Sequence, residues 1–115
     1  MLNCSILKEG DINLVYLEGE LESTGAGELS KTLLEFVGDG MHQIVLDMTS
    51  VTYISSNGLK PLLEWLDATR NISGKRKLAV CGLQEFPRRV FEVTEFDRKF
   101  PIYDNADAAL RAFDQ

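Results

Sequence analysis

The residues with the most chemical potential lie in one run, Ser55-Ser56-Asn57-Gly58, which closes the stretch from Ile44 to Leu59. Two hydroxyls and a carboxamide ahead of a glycine predict a turn, because short polar side chains bond to nearby backbone and glycine accepts conformations that other residues resist. Before it, the apolar run Ile44-Val45-Leu46 ends at Asp47. A polar step at Thr49-Ser50 then predicts a bend before a second apolar piece at Val51, Tyr53 and Ile54. Strand, bend, hydroxyl-rich turn and helix start is how an α/β fold presents reactive or recognisable groups at the edge of its sheet. Taken alone, Ser55 and Ser56 are best explained as turn and capping residues.

Other polar residues offer less. Asp47 ends a strand, but a lone carboxylate with no second ligand nearby reads as a cap or turn group rather than a metal ligand. Glu18, Glu20 and Glu22 alternate along an exiting strand, as a solvated face does, or as an acidic rim facing a partner would. His42 is the single histidine and no Cys-x-x-Cys pair exists, so no metal site is expected. Cys4 and Cys81 both sit in apolar, strand-like surroundings and read as two buried thiols of a reducing compartment. No Gly-x-Gly-x-x-Gly, P-loop or Gly-x-Ser-x-Gly pattern occurs, so neither an enzyme nor a cofactor has residues to support it. Trp65 flanks an apolar stripe, which makes it a core-edge residue or, if exposed, an anchor for a partner. Arg88 and Arg89 read as solvent charges.

These groups need a scaffold, and the chain is long enough to build one. Its 115 residues, 44% hydrophobic and 26% charged, suit a single globular domain over 1–115 with a core that needs no metal or disulfide. A net charge of −6 repels a phosphate backbone and argues against nucleic acid as a partner. No apolar run reaches the ~20 residues of a membrane span, and the first residues lack a signal pattern, so the expected location is the cytoplasm without membrane insertion. Oligomeric state is left open.

The expected elements follow from periodicity and punctuation. Residues 2–8 and 12–17 read as two strands joined at Glu9-Gly10-Asp11, a hairpin whose second strand lies inside the sheet. Ser23 or Thr24 is the expected N-cap of a helix over 25–37, ended by Gly38-Asp39-Gly40. A strand follows at 43–48. Leu59, Leu62, Leu63 and Leu66 recur at helical spacing. Pro61 is compatible with that helix only near its start, which places regular helix from about Leu59 and leaves Ser55–Asn57 in an exposed turn. Lys77–Cys81 is a strand, Glu85-Phe86-Pro87 opens a helix carrying Val90, Phe91 and Val93, Pro101–Tyr103 is a short strand, and Asp104 or Asn105 caps a last helix. The order ββαβαβαβα predicts a mixed sheet of about five strands, parallel after the hairpin, with its helices largely on one face.

This order, with Gly19-Glu20-Leu21-Glu22, Ile44-Val45-Leu46-Asp47, Tyr53-Ile54-Ser55-Ser56-Asn57-Gly58-Leu59 and the segment from Pro87 to Phe96, resembles the STAS domains, the bacterial anti-sigma-factor antagonists and their relatives. The resemblance spans nearly the whole chain and implies a STAS-like α/β fold. It also implies a non-enzymatic protein that binds an anti-sigma factor. The family's turn commonly reads Asp-Ser-Ser/Thr-Gly-Leu, and the hydroxyl residue after the Asp is phosphorylated by a partner serine kinase that is itself the anti-sigma factor. Ser56 matches that position, and Ser55 is a second candidate acceptor. Ser55 stands where the family has Asp, Asn57 replaces the second hydroxyl, and Glu22 stands where Asp is common. The implied partner surface comprises Glu22, Ser23, Thr24, Ser55, Ser56, Asn57, Gly58 and Leu59. Two alternatives stay open: a STAS scaffold subunit of another signalling or lipid-transport complex without phosphorylation, and a module binding a nucleotide or small ligand.

Overall fold

An opening hairpin sets one edge of the sheet. Strand β1 (Leu2–Glu9) runs antiparallel to β2 (Ile12–Leu21), with Glu9 opposite Ile12 and Leu2 opposite Gly19. The computed structural model describes residues 2–74 and 76–113; positions 1, 75, 114 and 115 of the expected 1–115 span lie outside the described residues. Helix α1 (Ser23–Gly38) leads to β3 (Gln43–Ile54), a 3-10 turn at Ser56–Leu59 and α2 (Lys60–Ala68). Then come β4 (Lys77–Cys81), α3 (Glu85–Val93), a second 3-10 turn at Phe96–Arg98, β5 (Ile102–Tyr103) and α4 (Ala106–Ala112). The strands lie side by side in sequence order, β1-β2-β3-β4-β5, and every pairing after the hairpin is parallel.

Strand alternation divides the core in two. Val15, Leu17 and Leu21 of β2, Leu46 and Met48 of β3 and Val80 of β4 face one side. There they meet Leu29 and Leu33 of α1, Leu62 and Trp65 of α2, and Phe91 of α3. Leu14, Val45, Ala79 and Cys81 face the other side, where Ala109 and Phe113 at the end of the chain cover them. Three helices thus pack on one face and α4 on the other, which is why the inner strands are apolar at consecutive positions. Each fully buried leucine contributes about 1.5–3 kcal/mol. Among the described residues, no helix is long and apolar enough to cross a membrane.

Several local expectations need correction. The helix begins earlier than 25: it starts at Ser23, with Glu22 rather than Ser23 or Thr24 in the N-cap position, and no side chain caps it. The predicted bend at Thr49-Ser50 is absent, because β3 runs unbroken for 12 residues. The polar step marks a slip in register instead: Tyr16 pairs with Asp47, Glu18 with Ser50 and Glu20 with Tyr53, so β3 twice inserts an extra residue against β2. Strand β2 continues past Leu17 to Leu21 in order to follow it. Trp65 is 2% exposed and belongs to the core, which excludes it as a surface anchor. Leu63 and Val93, counted with apolar helix faces, are exposed. The cysteines lie on opposite faces of the sheet; Cys81 is buried, but Cys4 on the edge strand is only partly so.

Candidate functional site

Strands β2 and β3 are parallel and end in register, Leu21 opposite Ile54, so both chains leave the sheet at the same end. One becomes α1 through Glu22, Ser23 and Thr24; the other becomes the turn at Ser55–Leu59. Parallel pairing is therefore what joins two segments more than thirty residues apart. Ser55 is tied across by its backbone N–H, which donates to the Leu21 carbonyl at 3.1 Å. That carbonyl also fixes Gly58, where a Cβ would overlap the Leu21 oxygen. Only glycine lets the turn lie this close to β2.

The turn then divides by function. Ser55 has extended backbone, and its Oγ accepts from the Gly58 N–H at 3.1 Å, while its carbonyl accepts the same N–H at 2.9 Å. Ser55 is thus an N-cap, the role an Asp fills with the same geometry but a full charge. Gly58 and Leu59 are buried, so these two of the expected partner residues hold the turn from beneath and present no side chain to solvent. Ser56 and Asn57 are exposed, as are Ser23 and Thr24; Glu22 and Ser55 are half-buried. Among the described residues the Ser56 hydroxyl has no hydrogen-bond partner. Pro61 falls in the first turn of α2, where its missing N–H removes no helical bond.

Between the two segments lies a cleft of about 310 Å³ lined by Ser23, Ala26 and Gly27 of α1 and by Asn57, Lys60 and Glu64. Ser30 donates to Glu64 Oε1 at 2.6 Å across its far end. Neither α1 nor α2 has an acidic residue in its first turn or a side-chain cap. The Glu22 carboxylate stands at the N-cap of α1, so a further negative charge at Ser56 is favoured by the positive end of α2, into which its turn leads.

Asp47 plays no part in this turn. Its Oδ1 accepts from the Thr49 N–H at 2.9 Å and the Thr49 hydroxyl at 2.6 Å, a local turn bond within the bulged stretch. Burial and then the nearby Asp47 carboxylate push the Cys81 thiol up to about 12. Glu18 and Glu20 are exposed on β2.

Two features escaped sequence reasoning. Lys60, the first residue of α2, lines the cleft with Asn57 and Ser23, a placement that periodicity does not reveal. Tyr53 at the end of β3 stacks on Phe86 of α3, ring centroids 5.5 Å apart and planes 10° from parallel. Their apolar character was visible, but their meeting depends on α3 returning beside β3.

The STAS domain model matches residues 4–109. BtrV of Bordetella bronchiseptica, assigned as an anti-sigma factor antagonist, is 35% identical over 97 residues, covering 84% of this chain and 82% of that protein. An anti-sigma-B factor antagonist of Staphylococcus epidermidis is 27% identical over 93 residues, covering 81% and 84%. A crystal structure of a Thermotoga maritima protein assigned as an anti-sigma factor antagonist superposes with a TM-score of 0.88 at 24% identity, covering 97% of this chain and 95% of that one. With the sheet order, the turn and the matched span in agreement, this chain belongs to the STAS domain family.

Proposed function

We propose that this protein is an anti-sigma-factor antagonist: it regulates transcription by binding an anti-sigma factor, and phosphorylation of Ser56 by that serine kinase releases the complex. The observation that carries the reading is the division of labour within the turn. Ser55, Gly58 and Leu59 are committed to holding it, whereas Ser56 stands exposed with an unused hydroxyl next to the exposed Asn57. Ser55 is the poorer acceptor because its oxygen already caps the turn.

A phosphoryl group adds a charge of about −1.5 to −2. At Ser56, in the turn that leads into α2, it would lie at the start of that helix, so the fold survives while a partner seated on the turn meets a new charge and a bulkier side chain. The test is to incubate the purified protein with ATP and each anti-sigma kinase of its source cell, then map phosphate by mass spectrometry and measure binding. Phosphate on Ser56 and loss of binding in Ser56→Asp are expected. Equal binding by wild type and Ser56→Asp would sink the switch.

The scaffold alternative is favoured by one feature: Ser55 provides the cap of the family's Asp without its charge. A stable complex that forms with no phosphate transfer would support that reading.

A further inference from the structure

The sheet is left open at β1. Strand order places β1 at one end, paired with β2 alone, and over its 8 residues it has no proline and no bulge. Long edges of this kind pair readily with another strand unless bulges, prolines or charges blunt them. Glu9 and Ile12 close the hairpin across Gly10-Asp11, with Gly10 at φ +61°. So short a loop is flanked by a hydrogen-bonded pair, and alternation from there makes Asn3, Ser5, Leu7 and Glu9 the residues that bond to β2. The N–H and C=O groups of Leu2, Cys4, Ile6 and Lys8 therefore point outward, and no described residue bonds to them there.

The side chains along that edge define what fits it. Cys4 and Ile6 line a cleft of about 800 Å³ with Gly25, Glu28 and Thr32 of α1, and Ile6 is 52% exposed. Lys8 shares their face of β1 by alternation. Burial, and then the Glu28 carboxylate, push the Cys4 thiol up, because that carboxylate stands close to it. Lys8 and Glu28 are both exposed, and neither has an ion pair among the described residues. Lys31, the one basic residue of α1, and Glu35 do not line the cleft, and Glu9 lies on the other face of β1. An edge strand with an unpaired cation, beside a helix with an unpaired anion, is complementary to a second copy of itself.

We propose that β1 pairs antiparallel with β1 of a second copy about a two-fold axis at Ile6, joining two sheets into one with both α1 helices on the same face. The outward groups permit only registers that differ by steps of two residues in the opposed strand. Centred on Ile6, the pairing sets Ile6 against Ile6 and Lys8 opposite Cys4, in the cleft where Glu28 stands. The two-fold axis repeats that ion pair. Centred on Ser5, it carries Lys8 past Cys4 to Leu2, and centred on Cys4, past the end of the strand. The register at Ile6 thus matches charge to charge, covers an exposed apolar side chain and adds about six backbone hydrogen bonds. This goes beyond the switch at Ser56 and does not depend on it.

The purified full chain is followed by sedimentation equilibrium over a range of concentrations and by hydrogen exchange of the β1 amides, with thermal unfolding of each variant as a folding check. The wild type should form a dimer at high concentration, with the Cys4, Ile6 and Lys8 amides protected there and exchanging on dilution. Lys8→Glu and Glu28→Lys should each weaken dimerisation about tenfold, since the two-fold axis doubles each loss. The double variant should recover to within about threefold of wild type. Ile6→Pro deletes an outward N–H on an edge strand, where proline is tolerated, and should give a folded monomer. Ile6→Cys should cross-link the two copies on oxidation, whereas the wild type should not cross-link through Cys4. A monomer at every concentration overturns the proposal, as does a dimer that Ile6→Pro leaves intact. Protection of the β1 amides that appears only when an anti-sigma factor is added also overturns it, because the edge then serves a foreign strand.

Discussion

Two places in the molecule rest on the close approach of a glycine, Gly82 against β3 and Gly58 against the end of β2, and they use their polar groups in different ways. At the bulge, Asp47 accepts from the Thr49 N–H and hydroxyl, Gln84 Nε2 donates to the Thr49 carbonyl at 2.6 Å, and Gly82, at φ +73°, packs where a Cβ would overlap Thr49 Oγ1. Asp47 and Thr49 make their polar contacts internally there, while Ser50 is exposed. At the turn, Gly58 packs under Leu21 and Ser55 caps, but Ser56 and Asn57 are left to solvent. The bulge spends its hydroxyl and carboxylate on shape, whereas the turn holds its shape with one serine and leaves the next unspent.

Substitutions can break this contrast. Gly58→Ala should be the most damaging, costing at least about 3 kcal/mol in urea unfolding, because the obstacle is the Leu21 backbone rather than a side chain that can turn aside. Gly82→Ala should cost about 2 kcal/mol, from its positive φ together with the Thr49 contact. Unlike Gly58→Ala, it should leave Ser56 phosphorylation intact in the molecules that remain folded.

The thiol next to the bulge gives a pH test. Cys81 is raised from 9.0 to about 12 in the folded protein. Between those values the unfolded chain has lost its proton while the folded chain keeps it, so stability falls as pH rises. The slope from this group is at most about 1.4 kcal/mol per pH unit. Cys81→Ala should remove that share of the alkaline decline, read as the difference between the two unfolding curves from pH 9 to 12.

Smaller effects separate the two serines. Ser55→Ala removes a cap and should cost about 1 kcal/mol, while phosphate still enters at Ser56. Ser56→Ala should change stability by less than about 0.5 kcal/mol yet abolish phosphate incorporation. If Ser56→Ala proved the more destabilising of the two, the proposed division of labour within the turn would be reversed.

Element order, the mixed sheet and the turn itself were legible because each rests on local chemistry. Apolar alternation marks strands, Gly38-Asp39-Gly40 stops a helix, and Pro61 moves a helix start. The errors came where pairing overrode local signals. Thr49-Ser50 looks like a bend, but β2 supplies hydrogen bonds that carry β3 through it as bulges. Ser23 looks like an N-cap, but the exit of β2 places Glu22 there instead.

The sequence by itself determined that this is an α/β chain with an exposed hydroxyl-rich turn, since periodicity and turn chemistry depend on neighbours along the chain. Which of its serines is committed and which is free was decided only by the tertiary structure. That distinction depends on the Leu21 carbonyl, brought alongside Ser55 and Gly58 by parallel pairing across more than thirty residues. The stack of Tyr53 on Phe86 was decided in the same way, because no local pattern records which aromatic ring another element will bring beside it.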